Sequence, residues 1–195
     1  MFNLFKVFNK KLSDRLLGKK ASYSISFIDT KFNWYEMSLL KKLAKGNYPT
    51  LDHIVGIPSK SDQARSDVIL RIFVNEAGNS ASQTLKNLIK DVTDPQERIK
   101  FVTPILGAFW IKTGDYEILK VDQTYVGQDK KDAIKITGRR VQELKDNILE
   151  ETMIIPTDNF ILLFDLSVMN EGEPNLKTIQ ADYLKIINSV KISSN

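Results

Sequence analysis

The chain has 195 residues, 42% of them hydrophobic and 27% charged, with a formal net charge of +4, one histidine and no cysteine. That composition argues against disorder, and the length allows a substantial core without cross-links. Disulfide scaffolds, thiolate nucleophiles, iron–sulfur clusters and cysteine-based zinc sites are excluded, and a reducing compartment fits.

The opening MFNLFKVFNKKLSDRLLGKK holds Lys6, Lys10, Lys11, Arg15, Lys19 and Lys20 against Asp14, a net of +5, so residues 21–195 sum to −1. A near-neutral body gives no general footprint for nucleic acid. On a helical wheel Met1, Leu4, Phe5, Phe8, Leu12 and Leu16 fall within an arc of about 120°. The pattern predicts a basic amphipathic helix ended by Gly18, forming an arm over residues 1–20 ahead of a single domain over 21–195. Phe5, Lys6, Phe8, Lys10, Lys11 and Arg15 are its candidate partner- or membrane-binding residues. The plainer alternative is a terminal helix covering the protein's own sheet.

Residues 22–28, SYSISFI, alternate Tyr23, Ile25 and Phe27 with serines and predict a half-buried strand. Residues 33–46 predict a helix ended by Gly46. Residues 47–67, with two prolines and a glycine, read as a long loop. DVILRIFVN (67–75) predicts a strand covered on both faces, and residues 80–92 a helix. Asp94, Pro95 and Glu97 form a helix start, and that helix is expected to stop before Pro104. Residues 106–129 read as a hairpin turning at Thr113-Gly114-Asp115. Residues 132–138 predict another strand, and residues 139–151 a helix or a strand continuation. DNFILLFDLSV (158–168) is the strongest strand. Leu176, Ile179, Tyr183, Ile186, Ile187 and Val190 form the stripe of a last helix packed on the sheet. Together these predict an α+β fold: a mixed or mainly antiparallel sheet flanked by helices.

The search for chemistry is mostly negative. No run of ~18 apolar residues occurs, so no transmembrane helix is expected. The apolar positions near the start are interrupted by Asn3, Lys6 and Asn9, unlike a secretory signal, and a cytoplasmic location is expected. No P-loop, G-x-G-x-x-G or G-x-S-x-G pattern exists, and His53 as the only histidine makes a triad or a zinc site improbable. No cofactor and no metal are expected. Asp165, inside a very apolar strand, is at a sheet edge, paired with a base, or perturbed for function. Trp34, Tyr35, Phe109, Trp110, Tyr116 and Tyr125 form two aromatic clusters that fit a core better than an interface. Trp110, Arg139 and Arg140 are candidate interface residues, the arginines as carboxylate or phosphate binders.

The last third reads DAIKITG, then ETMIIPTDNFILLFDLSVMNEGEP, then IQADYLKIINSVKI. A glycine-bearing strand, extended segments, a strongly apolar strand and a closing helix in this order resemble the end of Mog1/PsbP-like domains. The resemblance covers about 65 residues and lacks a catalytic motif. It implies an α/β/α sandwich on an antiparallel sheet, and a binding role like that of photosystem subunits, a small-GTPase partner and chaperones of secreted effectors. The missing catalytic constellations, the near-neutral body and the separate amphipathic arm make a non-catalytic protein-binding module the leading expectation: an adaptor, effector chaperone or immunity-type protein whose partner is another protein. The alternatives are peripheral membrane attachment through residues 1–20 and a carboxylate-dependent hydrolase, which needs two acids meeting in a pocket.

Overall fold

The computed structural model describes residues 10–11, 15–18, 22–58, 66–76, 79–108, 116–140, 148–169 and 173–193. In these residues the chain is α+β. Its larger sheet joins β1 (Lys10–Lys11), β4 (Tyr35–Glu36), β5 (Leu51–Pro58), β6 (Ser66–Asn75), β7 (Tyr116–Val126), β8 (Lys131–Arg140), β9 (Ile148–Pro156) and β10 (Ile161–Val168). The spatial order is β1-β4-β5-β6-β10-β9-β8-β7, with every described pairing antiparallel. A smaller sheet holds β2 (Arg15–Leu17), β3 (Tyr23–Ser26) and β11 (Lys191–Ile192) in the order β11-β3-β2. Four helices complete the set: α1 (Ser38–Lys45), α2 (Asn79–Asp91), α3 (Pro95–Ala108) and α4 (Leu176–Asn188).

The period-2 geometry of β10 divides the core between the two sides of the larger sheet. Leu162, Phe164, Leu166 and Val168 face Tyr183, Ile186 and Ile187 of α4 and Tyr23 and Ile25 of β3. Ile161 and Leu163 face the other side, with Leu85 of α2, Val102 and Leu106 of α3 and the partly buried Leu40 of α1. The expected sandwich is thus present, with α4 and the small sheet on one face and α1–α3 on the other.

Several expectations are corrected. The helix predicted over residues 1–17 is not there at its C-terminal end: Lys10–Lys11 and Arg15–Leu17 are extended, and residues 1–9 lie outside the described residues. Leu16 is the reason at β2. It alternates with exposed neighbours, is buried in the core, and pairs opposite Ile25, so strand pairing satisfies it as a helix face would have. The loop at 47–67 contains β5. Its glycine lies inside the strand and Pro58 ends it, and at Gly56 a Cβ would lie 2.6 Å from Ser66 Oγ and 2.9 Å from Met37 Sδ. The missing side chain is what lets those neighbours approach. The helix at 33–46 begins later, after β4. α3 runs on through the exposed Pro104, held by Val102 and Leu106, which are 2% and 0% exposed. The hairpin of the second half is β7–β8, turning at residues 127–130, where Gly127 has φ +72° and Lys130 φ +46°. Residues 113–115 lie outside the described set.

Candidate functional site

Three polar arrangements stand out, and the deepest crosses the larger sheet. Arg71 on β6 pairs directly with Asp165 on β10, which pairs with Thr152 on β9. All three side chains project to the α1–α3 side of the sheet, along with Ser167, Glu150, Arg140 and Tyr116. The Arg71 guanidinium lies 3.0 Å from Asp165 Oδ2 and 3.8 Å from Glu150 Oε1, and donates to Ser167 Oγ. Arg140 donates to Glu150 through Nε at 2.7 Å, and Thr152 donates to Asp165 Oδ1 at 3.1 Å. Asp165 and Glu150 are 0% and 1% exposed. Burial pushes the Asp165 carboxyl up to about 6, Arg71 opposes that rise, and the negative charge of Glu150 adds to it. Burial and the same two carboxylates push the Tyr116 phenol up as well. Two acids and two arginines balance in charge, so the row is an internally neutralised network.

A second cluster surrounds the single histidine. His53 sits on β5, 7% exposed. Its Nε2 is 3.1 Å from the carbonyl of Leu17, which can only accept, so the neutral ring carries its proton there. Nδ1 faces Glu36 at 3.5 Å, and Tyr23 donates to Asp52 Oδ2 at 2.8 Å. Burial lowers the His53 pKa, opposed by Asp52. The ring tethers β2 to the larger sheet. No nucleophilic hydroxyl faces it among the described contacts, and no group of three or more His, Asp or Glu side chains with metal-binding geometry occurs among the described residues.

The third arrangement is open. A cavity of about 500 Å³ lies where two hairpin turns meet α2 and β11. Lys86 comes from α2, Asp129 and Lys130 from the β7–β8 turn, Lys131 and Asp132 from β8, and Asp158 from the β9–β10 turn, while Pro156, Phe160 and Ile192 supply apolar wall. The second turn is pinned by Thr157, whose hydroxyl accepts from the Phe160 amide at 3.0 Å and donates to the Phe160 carbonyl at 2.7 Å. Lys86 bridges Asp158 at 2.7 Å and lowers that carboxyl's pKa. Three lysines and three aspartates on fixed turns make a recess for a ligand presenting both charges and some apolar surface. The sequence signal was D-K-K-D at 129–132 with the turn residues T-D-N at 157–159, far apart in the chain and joined only by sheet register.

The residues singled out from sequence do not gather in one place. Phe5, Lys6, Phe8 and Trp110 lie outside the described residues. Lys10 and Lys11 form β1 on the outermost position of the larger sheet. Arg15 is exposed on β2 and donates to Ser24 Oγ. Arg139 and Arg140, neighbours on β8, face opposite sides of the sheet, and each is engaged by a glutamate of this chain. Arg139 Nε lies 2.7 Å from Glu117 at the surface, and Arg140 joins the buried row. Asp165 is central, not at an edge, and is both paired with Arg71 and perturbed by burial.

No protein-family model matches the chain, and no curated protein matches it. Solved structures do. The solution structure of cyanobacterial PsbP (CyanoP) from Synechocystis sp. PCC 6803 aligns over 95% of this chain and 95% of its own, at 15% identity and a TM-score of 0.59. A protein from Bacteroides thetaiotaomicron VPI-5482 aligns over 94% of this chain at 11% identity and a TM-score of 0.52, and this chain spans 50% of that protein's length. The likeness extends over nearly the whole chain and not its last third alone. At these identities it concerns architecture only: the chain has a PsbP-like α+β fold.

Proposed function

We propose that this protein is a non-catalytic binding module for another protein, and that the cavity at the hairpin end of the larger sheet receives the partner. The observation that carries this reading is the contrast between the two charged sites. The buried acids Asp165 and Glu150 are committed to Arg71 and Arg140 away from solvent, whereas the charged groups of the cavity line open space, Lys86 with Asp158 across it and Asp129, Lys130 and Lys131 at the β7–β8 turn. A recess neutral overall suits a polypeptide segment better than a strongly acidic or basic polymer. The PsbP-like fold, and the resemblance of the last third to Mog1/PsbP-like domains, whose members act chiefly by binding, support an adaptor, chaperone or immunity role, and a cytoplasmic location accords with the lack of cysteine. A carboxylate-dependent hydrolase is the weaker reading, since a substrate would have to displace an arginine to reach Asp165.

Affinity capture with the full chain and with a Lys131→Glu/Asp158→Lys variant tests the proposal. A partner retained by the wild type and lost by the variant at unchanged melting temperature supports it. Equal retention overturns the assignment of the cavity. Hydrolysis abolished by Asp165→Asn would overturn the non-catalytic reading.

A further inference from the structure

We propose that the segment received by the cavity brings an acidic side chain, an aspartate or glutamate, next to an apolar one. This rests on the reading of the cavity as the partner's site and names what occupies it. Taken alone, Lys86, Lys130 and Lys131 balance Asp129, Asp132 and Asp158. The ion pairs change that balance. Lys86 holds Asp158 at 2.7 Å, and Lys90, one turn further along α2 and outside the cavity wall, reaches Asp132 at 3.7 Å. Both aspartates are thus answered from α2. Lys130 and Lys131 then face Asp129 alone, a local excess of one positive charge. Among the described residues neither lysine is in a salt bridge, and Lys131 adds only the smaller part of the lowering of the Asp158 pKa that Lys86 dominates.

The backbone of the turn gives an independent sign. Gly127 has φ +72°, which a glycine adopts readily, but Lys130 holds φ +46° with a Cβ in place. Glycine or asparagine would suit that position better. A cationic side chain kept in a left-handed conformation at the rim of a cavity is a local cost of the kind found at ligand contacts. Lys130 is exposed, and Lys131 beside it is half-buried. The half-buried Ile192, with Pro156 and Phe160, offers apolar surface in the same recess. A ligand carrying one anionic and one apolar group therefore finds both counterparts together. A carboxylate fits better than a phosphate. Its single charge answers a single excess, whereas a dianion would be repelled by the three aspartates around it.

Titration of the isotope-labelled full chain with three blocked tripeptides, acetyl-Leu-Glu-Leu-amide and its glutamine and lysine counterparts, tests the proposal by amide chemical shifts. The glutamate peptide is expected to move the amides of residues 127–132 and 157–160. It should bind about threefold more tightly than the glutamine peptide, as for an exposed ion pair, and lose that margin at about 0.5 M salt. Lys130→Gly/Lys131→Gln should abolish the preference. Lys130→Gly alone should reduce it while melting no lower than the wild type, since glycine relieves the left-handed backbone. Equal binding of the glutamate and glutamine peptides at these amides would overturn the acidic preference and leave the cavity reading standing. Preference for the lysine peptide, or the same shifts from inorganic phosphate at equal concentration, would overturn it as well. So would the absence of any shift there with about 10 mM glutamate peptide, far above the concentration a useful contact needs. Affinity capture with the Lys131→Glu/Asp158→Lys variant then decides the cavity reading separately.

Discussion

Arg71 and Asp165 face each other across a rung of β6 and β10, guanidinium to carboxylate at 3.0 Å, at the centre of the sheet. Removing the arginine alone leaves the buried Asp165 without its main counter-charge and Glu150 with Arg140 alone. Arg71→Met is expected to cost about 3–5 kcal/mol at neutral pH, as for other broken buried pairs. Urea unfolding at pH 7 and at about pH 5 checks this, and the loss should shrink at the lower pH as Asp165 takes up a proton.

The same carboxyl sets a pH dependence of defined sign. Its pKa rises on folding from 3.8 to about 6, so between these values the folded state holds more protons than the unfolded one. The stability it contributes is fully present below the lower value and is lost as pH rises through the upper, by at most about 3 kcal/mol. Asp165→Asn should remove this slope. The difference between wild-type and variant unfolding free energies, measured at steps from about pH 4 to 7, should change across that window and be flat above it. A difference that does not vary with pH would refute the assignment.

Gly138 touches the neighbouring tyrosine so closely that a Cβ there would lie 2.3 Å from the Tyr116 ring. Gly138→Ala is expected to destabilise by about 1–3 kcal/mol through overpacking. Tyr116→Val should suppress most of that loss, and a double-mutant cycle measures the coupling. The Tyr116 hydroxyl is buried without a hydrogen-bond partner of good geometry among the described residues, so Tyr116→Phe should stay within about 1 kcal/mol of wild type.

Asp182, 0% exposed on α4, accepts the backbone amides of Lys31 and Phe32 at 2.8 and 2.9 Å. Asp182→Ala should cost about 2–4 kcal/mol, and hydrogen exchange at those two amides should accelerate more than at the core amides of β10.

Leu16 and Leu17 separate the two readings of the N-terminal region. Leu16 is 6% exposed and Leu17 59%. Leu16→Ala is expected to cost about 2–3 kcal/mol and Leu17→Ala under about 0.5 kcal/mol by thermal melting. Equal effects would show that β2 is not part of the core.

What could be read from sequence followed the strength of local periodicity. The strand at 158–168, the strand at 67–75 and the last helix carry long apolar patterns whose faces match the observed burial, so their type was legible. β5 was not, because Gly56 and Pro58 punctuate a segment that tertiary contacts hold extended. Pro104 gave the wrong stop for α3 for the same reason: burial of Val102 and Leu106 outweighs the local cost of a proline. At the N-terminus, Leu12 and Leu16 fit a helical face, but the pairing of Leu16 with Ile25 is a non-local fact that no window of the opening could contain. The site was the least legible. Lys86, Asp132 and Asp158 meet only through sheet register, and the fate of Asp165 depended on which base its neighbouring strand supplied.

The position of β10 beside β6 bears on how the chain is made. Val68 pairs with Val168, so these two strands join only after a hundred residues of intervening chain have emerged. Until then β6, apolar on both faces, offers an open edge beside β5. Non-local pairing of this kind folds slowly and leaves that edge exposed to other nascent copies. A chain ending before β10 should therefore aggregate instead of accumulating as a soluble half. Synthesis at reduced temperature, or with chaperones that shield extended segments, should raise the yield of the full protein more than any change to its surface.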